Sequence, residues 1–139
     1  MSWSMLEQDQ DIISKALSAA KQAGADGADV SFIKGGGQDV QVRLGKVESA
    51  ERAEDYQMGM RVFVGQRSAT ISSGQLDDEN ITQLAERVVA MARHAPVNPY
   101  ARLATAEEQA KSFPEIDLYD DTDFSTDKLT AVSYTHLRA

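Results

Sequence analysis

The sequence predicts an α+β fold: an antiparallel sheet of about five strands with two main helices packed on one face. Three observations carry this. Apolar residues recur at helical spacing in residues 5–23 and again after Asp77. Between those stretches the period drops to two, the mark of half-buried strands. The strands are joined by short turns, which leave no room for a crossover and make neighbours antiparallel.

In the first helix Leu6, Ile13, Leu17 and Ala20 form the predicted stripe, widened by Ile12 and Ala16. Gly24 stands at the stop position, where a positive φ is easily adopted. Ala28, Val30 and Phe32 then alternate with Asp29, Ser31 and Ile33 as strand one. "GGGQ" at 35–38 reads as a loop. Val40, Val42 and Leu44 mark strand two, Gly45-Lys46 a turn, and Val47–Ala53 strand three. The stretch "MGMRVFVGQRSATISS", residues 58–73, holds strands four and five (Tyr56–Val64 and Arg67–Ser73) around Gly65-Gln66. Met58, Met60, Val62 and Val64 fall on one face, and Gly59, Arg61 and Phe63 on the other. Gln41, Arg43, Arg61, Ser68 and Thr70 are assigned to the wetter sheet face.

Asp77 is a good cap for the second helix, with Asp78 and Glu79 in the first turn, where the dipole favours negative charge. Ile81, Leu84, Ala85, Val88 and Ala92 form its buried stripe, and Pro96 stops it. Thr105 and Glu108 have capping-box spacing and predict a short helix to about Lys111. "FPEIDLYDDTDF" is an acidic connector, after which Ser125 or Thr126 caps one more helix.

Composition limits the function. With 139 residues, 42 % of them hydrophobic, the chain can bury a core. A net charge of −8 argues against nucleic acid or an anionic membrane, whose binders carry a Lys/Arg surplus. The absence of cysteine excludes disulfides and thiolate zinc sites in these residues and suits the cytoplasm. No secretory leader and no membrane-length apolar run is expected.

The residues that could carry chemistry are few. Gly35–Gly37 lack the following Lys-Ser/Thr and helix N-terminus of a phosphate cradle. His94 and His136 are too far apart in sequence to form a close ligand pair, and His94 suits a helix C-terminus. On a strand Glu48 and Glu54 point one way and Glu51 the other, so they do not flank one bond. Asp117, Asp120, Asp121 and Asp123 lack the glycine and terminal glutamate of a calcium loop. Ser72 and Ser73 have no matched base and end a strand. No catalytic, cofactor-binding or metal-binding residue is therefore expected in this chain.

Four motifs in order carry a resemblance: "GADGADVS" before the first strand, "VQVRLGKVE" at 40–48, "GMRVFVGQRSATIS" at 59–72, and "ARHAPVNPYA" at 92–101. Together they resemble the N-terminal domain of the TldD/PmbA family, over about residues 5–130. The connector "FPEIDLYD" at 113–120 is similar to the PmbA (TldE) branch.

The resemblance implies one subunit of a heterodimeric, cytoplasmic metalloprotease. In that family a TldD-like subunit and a PmbA/TldE subunit together cleave unfolded peptides. The family is linked to microcin maturation, antitoxin turnover and the label "modulator of DNA gyrase". It further implies a zinc site, His-Glu-x-x-x-His plus a later Cys, in the C-terminal domain of the TldD branch. No position of this chain corresponds to it, so zinc is expected in the partner or the full complex.

The expected organisation is a family N-terminal domain at 1–112, a connector and start of the next helix at 113–131, and a non-native tail at 132–139. That tail, in "AVSYTHLRA", resembles read-through into foreign sequence. Two alternatives remain open: a catalytic TldD-branch subunit, or a stand-alone module that binds extended peptides by strand addition.

Overall fold

In a computed structural model of the chain, residues 7–118, 120 and 122–136 are described. The elements run α1 (Glu7–Gln22), β1 (Gly27–Arg43), β2 (Lys46–Val64), β3 (Arg67–Ser73), α2 (Asp78–His94) and α3 (Thr126–His136). The fold is α+β, with one sheet ordered β1-β2-β3. The residues divide into two compact units. One comprises residues 7–33 and 56–113; the other comprises 34–55 and the described residues from 114 onward.

The first unit holds the core. Met58, Met60 and Val62 present one face of β2, all at 1 % exposure or less. Ala16 and Ala20 of α1, and Ile81, Leu84, Ala85, Val88, Val89 and Ala92 of α2, join the same cluster. Ala28, Val30, Phe32, Ala69 and Ile71 pack against it. The stripe predicted for α2 is the buried one. The stripe of α1 is rotated from its prediction: Ile12, Ala16 and Ala20 turn inward as expected, joined by Ala19 and by Ala23 just past the helix, but Leu17 is 38 % exposed; Leu6 lies outside the described residues. A cluster that already holds Ala85, Val88 and Ala92 from α2 is filled from α1 by small side chains, so alanines displace the larger leucine.

Backbone groups at the helix ends are satisfied locally. Gly24 has φ 98° and closes α1: its N–H donates to Lys21 O, and the N–H of Ala25 to Ala20 O. These two bonds are the Schellman pairing that a positive-φ glycine permits. Asp77 caps α2 as expected, its Oδ1 accepting from Asn80 N at 3.0 Å. At the other end Arg67 of β3 donates to Arg93 O and Ala95 O, both at 2.9 Å. β3 lies antiparallel on β2, with Met58 opposite Ser73 and Val64 opposite Arg67. The turn between them is Gly65-Gln66, as expected, with Gly65 at φ 57°.

The second unit contains the outer halves of β1 and β2, joined by the two-residue turn Leu44-Gly45 with φ 49° and 76°. Positive φ at both positions is the type I′ geometry that matches strand twist. The turn therefore sits one residue before its predicted place. Ser125 caps α3, accepting from Lys128 N at 3.3 Å, and Gln38 Nε2 donates to Thr126 Oγ1 at 3.1 Å. α3 runs on to His136, past the position where the family resemblance ends. Among the described residues every buried apolar side chain belongs to the first unit; this ribbon has none.

Two further expectations are corrected. Among the described residues the strands number three, because the predicted loop at 35–38 lies inside β1 and no break falls between Ala53 and Tyr56. The tight turn keeps both strands paired, and glycine tolerates extended backbone. The helix predicted from Thr105 is only a turn. Half the capping box forms, Glu108 accepting from Thr105 N at 2.8 Å, but Arg102 holds the same carboxylate at 2.6 Å through both oxygens.

Candidate functional site

The sheet face away from the helices carries the most organised polar cluster of the first unit. Asp29 on β1 and Arg61 on β2 face each other, and Arg61 Nε donates to both carboxylate oxygens at 3.0 and 3.1 Å while Nη2 adds a further bond to Oδ2. The pairing keeps the guanidinium charged, its pKa raised chiefly by the Asp29 hydrogen bond. The same guanidinium lies 5.3 Å from the centroid of Phe63, at cation–π range. Arg61 opposes Thr70 and Phe63 opposes Ser68, as the alternation required.

Phe63 is nevertheless only 5 % exposed on this supposedly wet face. Leu103 and Phe63 both border Gly27: a Cβ added there would stand 3.2 Å from Leu103 and 3.8 Å from Phe63. The segment after α2 returns along this side, with Asn98 N donating to Gln66 O at 2.7 Å. Asp26 pins the hairpin end, accepting from Gly65 N at 2.6 Å and donating its own N–H to Phe63 O.

A second feature is a cleft of about 330 Å³ between α1 and α2, lined by Ser14, Lys15, Ser18 and Gln22 from one helix and Asp78, Ile81 and Thr82 from the other. Lys15 stands in it, 2.9 Å from Asp78 and 3.0 Å from Asp11. The Asp78 hydrogen bond is the main cause that raises the Lys15 pKa. Lys15 thus enters the cleft as part of an exposed ion-pair network with Asp11 and Asp78, its cation already matched by two carboxylates.

The residues weighed from the sequence lie apart. Gly35–Gly37 are strand residues with open space beside Gly35 and Gly37. His94 ends α2 and is exposed, in the place favourable for a cation. Glu48 lies 3.5 Å from Arg43, and Glu51 and Glu54 are exposed on β2. Asp117, Asp120 and Asp123 lie in the extended connector; Asp121 falls outside the described residues, as does the side chain of His136. Asp120 accepts from Thr122 N and Oγ1, bonds that lower its pKa. Ser73 Oγ accepts from Gln75 N at 3.0 Å in a local turn. Among the described residues no group of three or more His, Cys, Asp or Glu could hold a metal ion, so these residues do not fit a zinc site. Sequence reasoning missed the partnerships of Asp26, Asp29 and Lys15 and the approach of Leu103 to Gly27, which all depend on contacts distant in sequence. The one sequence signal was the placing of Arg61 on the outer face, with Asp29 alternating against the apolar residues of its strand.

The first unit is thus a helix-backed antiparallel sheet whose outer face carries the Asp29–Arg61 pair. Residues 28–92 match the family described as PmbA/TldA metallopeptidase domain 1. Over this stretch the chain is similar to the first domain of PmbA/TldD-family proteins. It is 30 % identical over 121 residues to a metalloprotease PmbA homolog of Haemophilus influenzae, covering 87 % of this chain and 27 % of that protein. It is 30 % identical over 128 residues to the metalloprotease PmbA of Escherichia coli O157:H7, covering 90 % and 28 %. The chain thus spans little more than a quarter of the length of these relatives. In fold it is similar to a crystal structure from Bacteroides thetaiotaomicron assigned as a modulator of DNA gyrase. The TM-score is 0.74 at 17 % identity, over 84 % of this chain and 26 % of that one. Among the described residues no helix is long and apolar enough to cross a membrane.

Proposed function

We propose that this chain is the first domain of a PmbA/TldE-type subunit that works with a TldD-like subunit as a metalloprotease on unfolded peptides. The match of residues 28–92 to domain 1 of the family carries the reading. The role of the domain is to scaffold and dock. Its core ties α1, α2 and β2 into one block, and the Arg61–Asp29 pair links β1 to β2 on the opposite sheet face. The domain contributes no catalytic residue and no metal ligand in this reading. Zinc and the hydrolytic step belong to the TldD-like partner, in the cytoplasm. The domain proper ends near residue 112, and 132–139 are foreign to the gene.

The test co-expresses a polypeptide of family length containing this sequence with a TldD-like subunit. Co-purification, and metal-dependent cleavage of an unfolded peptide by the pair but not by this polypeptide alone, support the reading. A polypeptide that never associates, or that cleaves by itself, overturns it.

A further inference from the structure

The structure leaves one strand edge open. β3 covers its side of β2 only from Met58 to Val64, but β2 begins at Lys46. Over Lys46–Asp55 that edge carries no strand among the described residues. These residues are exposed, apart from a half-buried Ser49. The ribbon they belong to has no buried apolar side chain among its described residues. A two-stranded ribbon is marginal in water, whereas three or more strands hold together. An open edge of this length is a template for another strand.

Its charge pattern specifies which strand. Alternation puts Lys46, Glu48, Ala50, Arg52 and Glu54 on one side of β2. Turned end for end about Ala50, this row meets its own complement. Lys46 then opposes Glu54, Glu48 opposes Arg52, and Ala50 opposes Ala50. All four charged contacts are attractive. On the other side Val47 opposes Ala53 and Ser49 opposes Glu51, with no like charges face to face. Directly opposed residues in an antiparallel pair are close enough for opposite charges to stabilise it and like charges to oppose it. Glu48 is also the residue that meets Arg43 across the ribbon, so it would be flanked by cations on both sides.

We propose that the open edge of β2, residues 46–55, pairs antiparallel with the same edge of a second copy of this chain about a two-fold axis at Ala50. The two ribbons become one four-stranded sheet. Such an interface is isologous, each residue meeting the partner's complement. The charges on the edge disfavour uncharged and out-of-register strands, so pairing is selective and not aggregation. The inference stands independently of the peptidase reading.

The test uses the 139-residue chain and two exposed-surface variants. One carries Lys46→Glu and Arg52→Glu; the other carries Glu48→Lys and Glu54→Lys. Sedimentation equilibrium and light scattering measure mass against concentration, and circular dichroism checks that each variant is folded. The unaltered chain is expected to dimerise. Each variant alone places like charges opposite one another and should dimerise at least roughly ten-fold more weakly. Mixed together, the two are again complementary and should form a heterodimer. A monomeric unaltered chain, variants that dimerise as well as it does, or a mixture that stays monomeric would each overturn the proposal.

Discussion

The orientation of α1 separates the structure from the bare hydrophobic pattern, and two truncations measure it. Met60 has no exposed surface and sits in the centre of the core cluster. Met60→Ala removes three heavy atoms, about 2.4 kcal/mol of transfer free energy at ~0.8 kcal/mol each. Incomplete collapse of the cavity adds to this, bringing the total to about 3–4 kcal/mol. Leu17→Ala removes the same number of heavy atoms, but Leu17 is 38 % exposed. About three-fifths of the transfer term is lost, roughly 1.5 kcal/mol, and water fills the gap so that no cavity term arises. Urea unfolding followed by circular dichroism reads both values. With a slope of about 1.5 kcal/mol/M the midpoints of the two variants should differ by more than ~1 M. Equal losses, or a larger loss for Leu17→Ala, would mean that α1 turns its leucine stripe inward and that the rotation described here is wrong.

Three further outcomes are expected. Glu108 is bound by Arg102 first and by Thr105 second, which lowers its pKa to about 2. A carboxylate with a depressed native pKa stabilises fully above its unfolded value near 4.5 and loses that contribution as pH falls toward 2. A carbon-detected NMR titration should give a Glu108 midpoint near 2, and a midpoint near 4.5 would dissolve the turn. Leu44 stands at φ 49°, a region Leu disfavours by about 1 kcal/mol, so Leu44→Asn should stabilise the chain by about 0.5–1 kcal/mol in the same unfolding assay. Asp77→Ala removes the bond to Asn80 N and should cost about 1 kcal/mol; no loss would remove Asp77 as the cap.

What was legible in the sequence followed from local periodicity and local chemistry. Met58, Met60 and Val62 declared the inner face of β2 because a strand has a period of two. Asp77 and Gly24 declared helix ends because capping and positive φ select residue types. Leu17 misled because a helical pattern fixes an arc of residues, while the angle the arc faces depends on what the neighbouring helix leaves room for. Gly35–Gly37 misled because glycine is compatible with a loop and with an extended strand alike. A pairing partner decides between them, and it lies beyond the short window in which a loop is recognised.

The candidate sites were less legible for a related reason. A motif search finds side chains whose chemistry is declared by spacing, such as close histidines or paired carboxylates, and here none stood at such spacing. The features that organise this domain are relations between elements: Asp29 with Arg61, Gly27 with Leu103, Arg67 with the end of α2. An open strand edge is less visible still, because its binding groups are backbone amides and carbonyls that every residue carries. Only its register can be encoded in side chains. A row of charges complementary to its own reversal encodes one register, since a one-residue slip brings the opposite faces of the two strands together. In Lys46–Glu54 the same charges that look like an ordinary solvated strand face therefore acquire a meaning once β3 is seen to end at Ser73, opposite Met58.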